Sequence, residues 1–237
     1  MREELIGKRK LILFQGDSIT DCGRKRNEMG SGESMSFTPK DKDPQPAPDY
    51  GYPGSLGFGY VQLIGSELMC DDPNIRVIDR GVDGNRISDM YGRWIEDALT
   101  IDYDVLSILA GVNDIGFGLA MGIGADEDKF NFIYDRMLFE AKQAHPDALY
   151  VLCEPFLFYQ GGEEGTKQWR SILSGRQEVV RSLAEKYGAV FVPLAQMFID
   201  AEKRAPIGHW TVDGIHPTSA GNELLARQWL RYVRKEL

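Results

Sequence analysis

Cysteine is scarce in this sequence: only Cys22, Cys70 and Cys153 occur. An odd number at wide spacings makes neither a disulfide framework nor a zinc cluster, and such usage suits a reducing compartment. Basic charge is also short. Against 36 Asp and Glu stand 27 Lys and Arg, leaving a net charge of −9. A surface of that sign repels phosphate backbones and anionic lipid, which argues against nucleic-acid or membrane partners. No apolar run approaches the roughly 20 residues of a membrane span. The opening MREELIGKRKLILF holds a short apolar stretch, LILF, too brief for a secretory leader, so the expected location is cytoplasmic. The phosphate-cradling pattern G-x-x-x-x-G-K-[ST] is missing, which removes the simplest nucleotide-binding reading.

What is present suits an ordinary folded domain. Hydrophobic residues make up 43% of the 237, enough to bury a core, and the expectation is one domain over 1–237. Short uninterrupted apolar runs at 11–14, 75–78, 105–109, 149–152 and 189–192 have the character of parallel strands covered on both faces. Between them, 60–69, 126–144, 177–187 and 222–233 carry apolar residues at helical spacing. Strand and helix in alternation predict a three-layer α/β/α sandwich around a five-stranded parallel sheet of flavodoxin-like order. Ligands then belong at the carboxyl ends of the strands. Residues 25–57 break the rhythm, being rich in Gly, Pro, Ser and acidic residues, and form a long loop insertion.

Four segments follow strands or precede the last helix, and together they suggest chemistry. Gly16-Asp17-Ser18-Ile19-Thr20 follows the first strand and places a hydroxyl at the open end of the sheet. Serine is a weak nucleophile that needs a neighbouring base, and histidine is the usual one. Of His145, His209 and His216, the first has the context of a surface residue and the second lacks a nearby Asp partner. His216 has Asp213 three residues earlier, able to hold the imidazole in one tautomer. Gly111-Val112-Asn113-Asp114 and Asp79-Arg80-Gly81-Val82-Asp83-Gly84-Asn85 follow two further strands. An Asn amide and a Gly N–H there can join the Ser18 N–H in holding a negative oxygen. Each segment taken alone is equally ordinary turn chemistry.

In order and spacing, these blocks resemble the SGNH superfamily of GDSL-type hydrolases, and the likeness spans nearly the whole chain. The resemblance implies Ser18 as nucleophile, His216 as base and Asp213 as its orienter. It implies Ser18, Gly84 and Asn113 as an oxyanion hole. Gly84 is preferred to Gly81 because the family's block reads Asn-x-Gly-x-Ser-Gly and its second glycine donates. Here Asp79 and Asp83 stand where the pattern has Asn and Ser. A closer likeness, to carbohydrate esterases of the acetyl-xylan type, lies in the extended first block through Arg24, in Gly59-Tyr60-Val61, and in Trp210 shortly before Asp213.

That likeness implies removal of acetyl groups from sugar hydroxyls, with an acetylated oligosaccharide as substrate. It suggests Trp210 and Asp17 as substrate contacts, although Trp210 serves equally well as packing. The alternatives are an acyl hydrolase of the lysophospholipase or thioesterase kind, and a noncatalytic carbohydrate-binding module. Cys22 has no adjacent base and is expected to pack. Asp17, Asp21 and Asp114 are expected to brace loops through backbone N–H groups. No metal and no cofactor are expected, and a homo-oligomer is left open.

Overall fold

The computed structural model describes residues 10–25, 54–158 and 162–237. Residues 26–53, nearly all of the insertion expected at 25–57, lie outside that set. Five strands, β1 (Lys10–Gly16), β2 (Ile75–Asp79), β3 (Val105–Leu109), β4 (Leu149–Cys153) and β5 (Val190–Val192), form one parallel sheet in the order β2-β1-β3-β4-β5. Each expected apolar run lies within one residue or two of a strand. Successive side chains of a strand point to opposite faces, so an unbroken apolar run feeds two cores at once. In β1, Ile12 and Phe14 enter one core and Leu13 the other, all fully buried.

The first core is closed by α2 (Tyr60–Asp71), α7 (Ala195–Glu202), α8 (Ile207–Trp210) and α9 (Ser219–Val233), through Tyr60, Ile64, Leu68, Phe198, Leu225 and Trp229. The Phe14 ring packs 5.3 Å from that of Trp229. Across the sheet lie α3 (Ile87–Gly92), α5 (Glu127–Ala144) and α6 (Gly162–Tyr187), contributing Met90, Phe130, Tyr134, Met137, Val180 and Leu183. This is the expected α/β/α sandwich. β1 pairs with β2 on one side and β3 on the other. The chain reverses its direction of winding there, which opens a crevice at the carboxyl end of β1.

Two helical stretches went beyond the apolar pattern. Helix α4 (Val112–Met121) contains Gly116 and Gly118, which weaken helix propensity, yet it forms where expectation had only a turn. Trp169 of α6 supplies the reason, since its indole lies so close over Gly116 that an added Cβ would stand 2.8 Å away. Helix α6 begins fifteen residues before the expected 177. In that first half Arg176 occupies an inward position and is buried, its guanidinium 5.0 Å from the Phe130 ring centroid and donating to the Ala125 carbonyl at 2.6 Å. A buried cation hides the apolar period.

Candidate active site

Asp17 leaves β1 in extended conformation and caps α1 (Ser18–Asp21), its Oδ1 accepting the Ile19 N–H at 3.0 Å. Ser18 thus opens a helical turn at the crevice, and the first amides of a helix have no partner within it. The Ser18 Oγ lies 2.8 Å from Nε2 of His216. On the far side of the ring, Nδ1 lies 2.6 Å from Oδ2 of Asp213. With that carboxylate accepting from Nδ1–H, Nε2 is left as an acceptor for the Ser18 hydroxyl.

The loop that carries Asp213 and His216 is tied to itself. Oδ1 of Asp213 accepts the backbone N–H of Ile215 at 3.0 Å and of His216 at 2.8 Å. Burial works to raise the Asp213 pKa, but these bonds and the imidazole outweigh it and hold the carboxyl below its ordinary range. Buried Thr211 donates through its hydroxyl to the His216 carbonyl and accepts the Gly214 N–H, both at 2.9 Å. Behind the loop, Asn222 of α9 donates to the carbonyls of Pro217 and Thr218, each at 3.1 Å, and accepts the Tyr60 N–H of α2 at 3.0 Å. Thr218 caps α9 by accepting the Gly221 N–H.

The other two segments close in from the side. The Val82 N–H donates to the Gly16 carbonyl at 3.1 Å and draws the 79–85 segment onto the Ser18 turn. The Asn113 amide donates to the Asn85 carbonyl at 3.1 Å, which fixes the side chain and leaves its second N–H for a ligand. Gly84 stands in left-handed conformation, φ 72°, with open space where a Cβ would be. Gly81 is the opposite case: a Cβ there would collide with the backbone of Thr20 and Asp21. Among the described residues, neither the Ser18 nor the Gly84 backbone N–H meets an acceptor. Two amides and one carboxamide are therefore available at this edge of the sheet.

Two expected substrate contacts are buried. Asp17 is 1% exposed and serves as the α1 cap, with its second carboxylate oxygen unpartnered among the described residues. Burial pushes its pKa up to about 7, against the Ile19 amide and the His216 charge that pull it down. Trp210 is 7% exposed, packs into the first core, and donates to the Ala205 carbonyl at 3.2 Å. A flat apolar ring with an indole N–H to satisfy finds both needs met inside the fold.

The carboxylates expected to brace loops do so. Asp21 accepts the Asp83 N–H, and Asp114 accepts those of Ile87 and Ala125. Cys22 is half-buried in left-handed conformation, and burial raises its thiol pKa. His145, expected at the surface, is half-buried, its ring packed at a tilt 4.3 Å from that of Tyr103 and bonded to the Leu99 carbonyl. A pocket of about 660 Å³ opens beside the Ser18–His216 pair, lined by Ser18, Asp21, Gly23, Arg24, Asp83 and His216. Gly23, Arg24 and Asp83 did not stand out in sequence as lining residues, because no chemical motif requires them.

Residues 14–224 match the model of the GDSL-like lipase/acylhydrolase family. The chain belongs to that family. It is a carboxylic ester hydrolase acting on a small-molecule ester. Among its relatives is an acetylxylan esterase from Geobacillus stearothermophilus, 31% identical over 234 residues, which cover 96% of this chain and 95% of the relative. A crystal structure of that esterase superposes with a TM-score of 0.78 at 29% identity, covering 96% of this chain and 95% of that one. A crystal structure from Parabacteroides merdae, named for its likeness to GDSL lipases, gives a TM-score of 0.80 at 31% identity, covering 97% and 98%. Solved structures of the Geobacillus esterase include catalytic mutants in which a serine, an aspartate and a histidine are each replaced by alanine.

Proposed function

We propose that this chain is a serine esterase that removes acetyl groups from carbohydrate, with xylo-oligosaccharides as the sugar. The observation that carries the reading is the line Ser18 Oγ, His216, Asp213, with contacts of 2.8 and 2.6 Å, at the mouth of a charged and polar pocket. In the catalytic mutants of the Geobacillus esterase the altered aspartate and histidine stand three positions apart, the spacing of Asp213 and His216. Some of its solved forms are named as an acetyl-xylooligosaccharide esterase. A pocket lined by Asp21, Arg24 and Asp83 solvates a polyhydroxylic alcohol far better than a hydrocarbon chain.

In this mechanism His216 takes the Ser18 proton as Oγ attacks the ester carbonyl. The tetrahedral oxygen is held by the amides of Ser18 and Gly84 and the Asn113 side chain. Collapse breaks the bond to the alcohol, which leaves with the proton from His216. Water, deprotonated by the same imidazole, attacks the acyl-enzyme, and Ser18 departs with its proton restored. Asp213 keeps the ring oriented and steadies its positive charge throughout. The test is an acyl-chain series of para-nitrophenyl esters together with acetylated xylo- and cello-oligosaccharides. Sharp preference for acetate with turnover of the xylo-oligosaccharides is expected. Activity rising toward octanoate overturns the sugar assignment and leaves a lipid or thioester acyl hydrolase.

A further inference from the structure

Asp83 stands apart from the other charged groups of the pocket. Asp21 and Arg24 are engaged with the fold: Oδ2 of Asp21 accepts the Asp83 N–H at 3.1 Å, while Arg24 Nε donates to the Gly81 carbonyl at 3.0 Å. The Arg24 Nε also lies 3.7 Å from Asp21 and 3.9 Å from Asp79. These side chains are at most 9% exposed. Asp83 itself is exposed, and its carboxylate has no hydrogen bond or ion pair among the described residues. The buried pairing behind it therefore fixes its backbone and leaves its charge facing the pocket.

The pocket has a side. It is bounded by Ser18 and His216 but not by Gly84 or Asn113, the expected oxyanion donors. The imidazole must hand its proton to the departing alcohol oxygen, so the alcohol part of the ester lies toward His216. Resting on the serine-esterase reading, we propose that Asp83 selects that alcohol: its carboxylate accepts hydrogen bonds from the hydroxyls of a neutral polyol and repels an anionic alcohol. Hydrogen bonds to a carboxylate exceed those to a neutral acceptor, so a polyol gains from the charge. An anionic group a few ångströms away loses by it, the more so in a partly enclosed pocket.

The test compares para-acetoxybenzoate, an anionic aryl acetate, with its neutral methyl ester, on the full chain and its Asp83→Asn and Asp83→Lys variants at low salt. The anionic-to-neutral ratio of kcat/KM is read, because a general loss of activity cancels in it. An increase of about five-fold is expected for Asp83→Asn and more for Asp83→Lys, shrinking at high salt. In parallel, Asp83→Ala is expected to raise KM for an acetylated xylotriose about ten-fold, with partial recovery in Asp83→Asn. A ratio unmoved in both charge variants, with turnover intact, overturns the role of Asp83 and leaves the esterase reading standing. If the unaltered enzyme hydrolyses neither aryl ester, the esterase reading fails and this assignment falls with it.

Discussion

One carboxylate grips His216 twice. Oδ2 of Asp213 meets the ring at Nδ1, and Oδ1 accepts the backbone N–H of the same residue. The aspartate therefore sets both where the imidazole is anchored and which nitrogen carries its proton, and the two oxygens need not be equivalent in function.

Asp213→Asn separates those duties. The amide oxygen can still accept the His216 N–H, while the amide nitrogen turned toward Nδ1 forces the wrong tautomer. A fall in kcat of about 10³–10⁴-fold on an aryl acetate is expected, with the thermal midpoint nearly unchanged. Loss of less than about ten-fold would show that the ring keeps its tautomer without this partner.

Asn113→Ala removes a carboxamide held by the Asn85 carbonyl. If its free N–H meets the tetrahedral oxygen, kcat drops by about 10²–10³-fold while KM changes little. A rise in KM at constant kcat would instead assign Asn113 to ground-state binding.

The two glycines of the 79–85 segment are expected to fail in different ways. Gly81→Ala drives a methyl group into the Asp21 backbone and costs about 1–3 kcal/mol of stability. Gly84→Ala meets no neighbour and pays about 1–2 kcal/mol for its left-handed backbone. Relaxing that backbone turns the Gly84 amide, so kcat suffers more than stability. Paired measurements of Tm and kcat distinguish the two, and identical profiles would contradict the assignment.

Asp79 carries a pH signature. Burial raises its pKa from an ordinary 3.8 to about 7, despite the Gly81 amide and Arg24. The folded chain thus binds this proton more tightly than the unfolded chain. Stability from this group is full below about pH 4 and is lost as pH climbs to about 7. Asp79→Asn cannot ionise. Across that interval its stability relative to the unaltered chain should improve by on the order of 4 kcal/mol. Urea unfolding at a series of pH values reads the difference directly, and curves that stay parallel would show that Asp79 is ionised in the fold at low cost.

The features written plainly in the sequence were those imposed by local chemistry. Val105–Leu109 announced a strand because both faces of the sheet are covered. Ser18 and the Asp213–His216 spacing announced themselves because attack, proton transfer and orientation demand those residue types. Arg176 was opaque because its surroundings, Phe130 and Ala125, come from distant chain. Asp17 braces its turn as its residue type suggested, accepting the Ile19 N–H as the α1 cap. Helix α4 was hidden by glycines that make sense only once Trp169 is laid over Gly116.

Asn222, in the last helix, ties the neighbouring loop of the base to the remote entry of α2 with one side chain. The position of His216 is consequently a property of how the carboxyl-terminal segment is moored. Fraying of that segment would carry the imidazole off the serine before the sheet itself loosened. Turnover should therefore fade ahead of global unfolding, making activity a more sensitive gauge of that mooring than any spectroscopic melt.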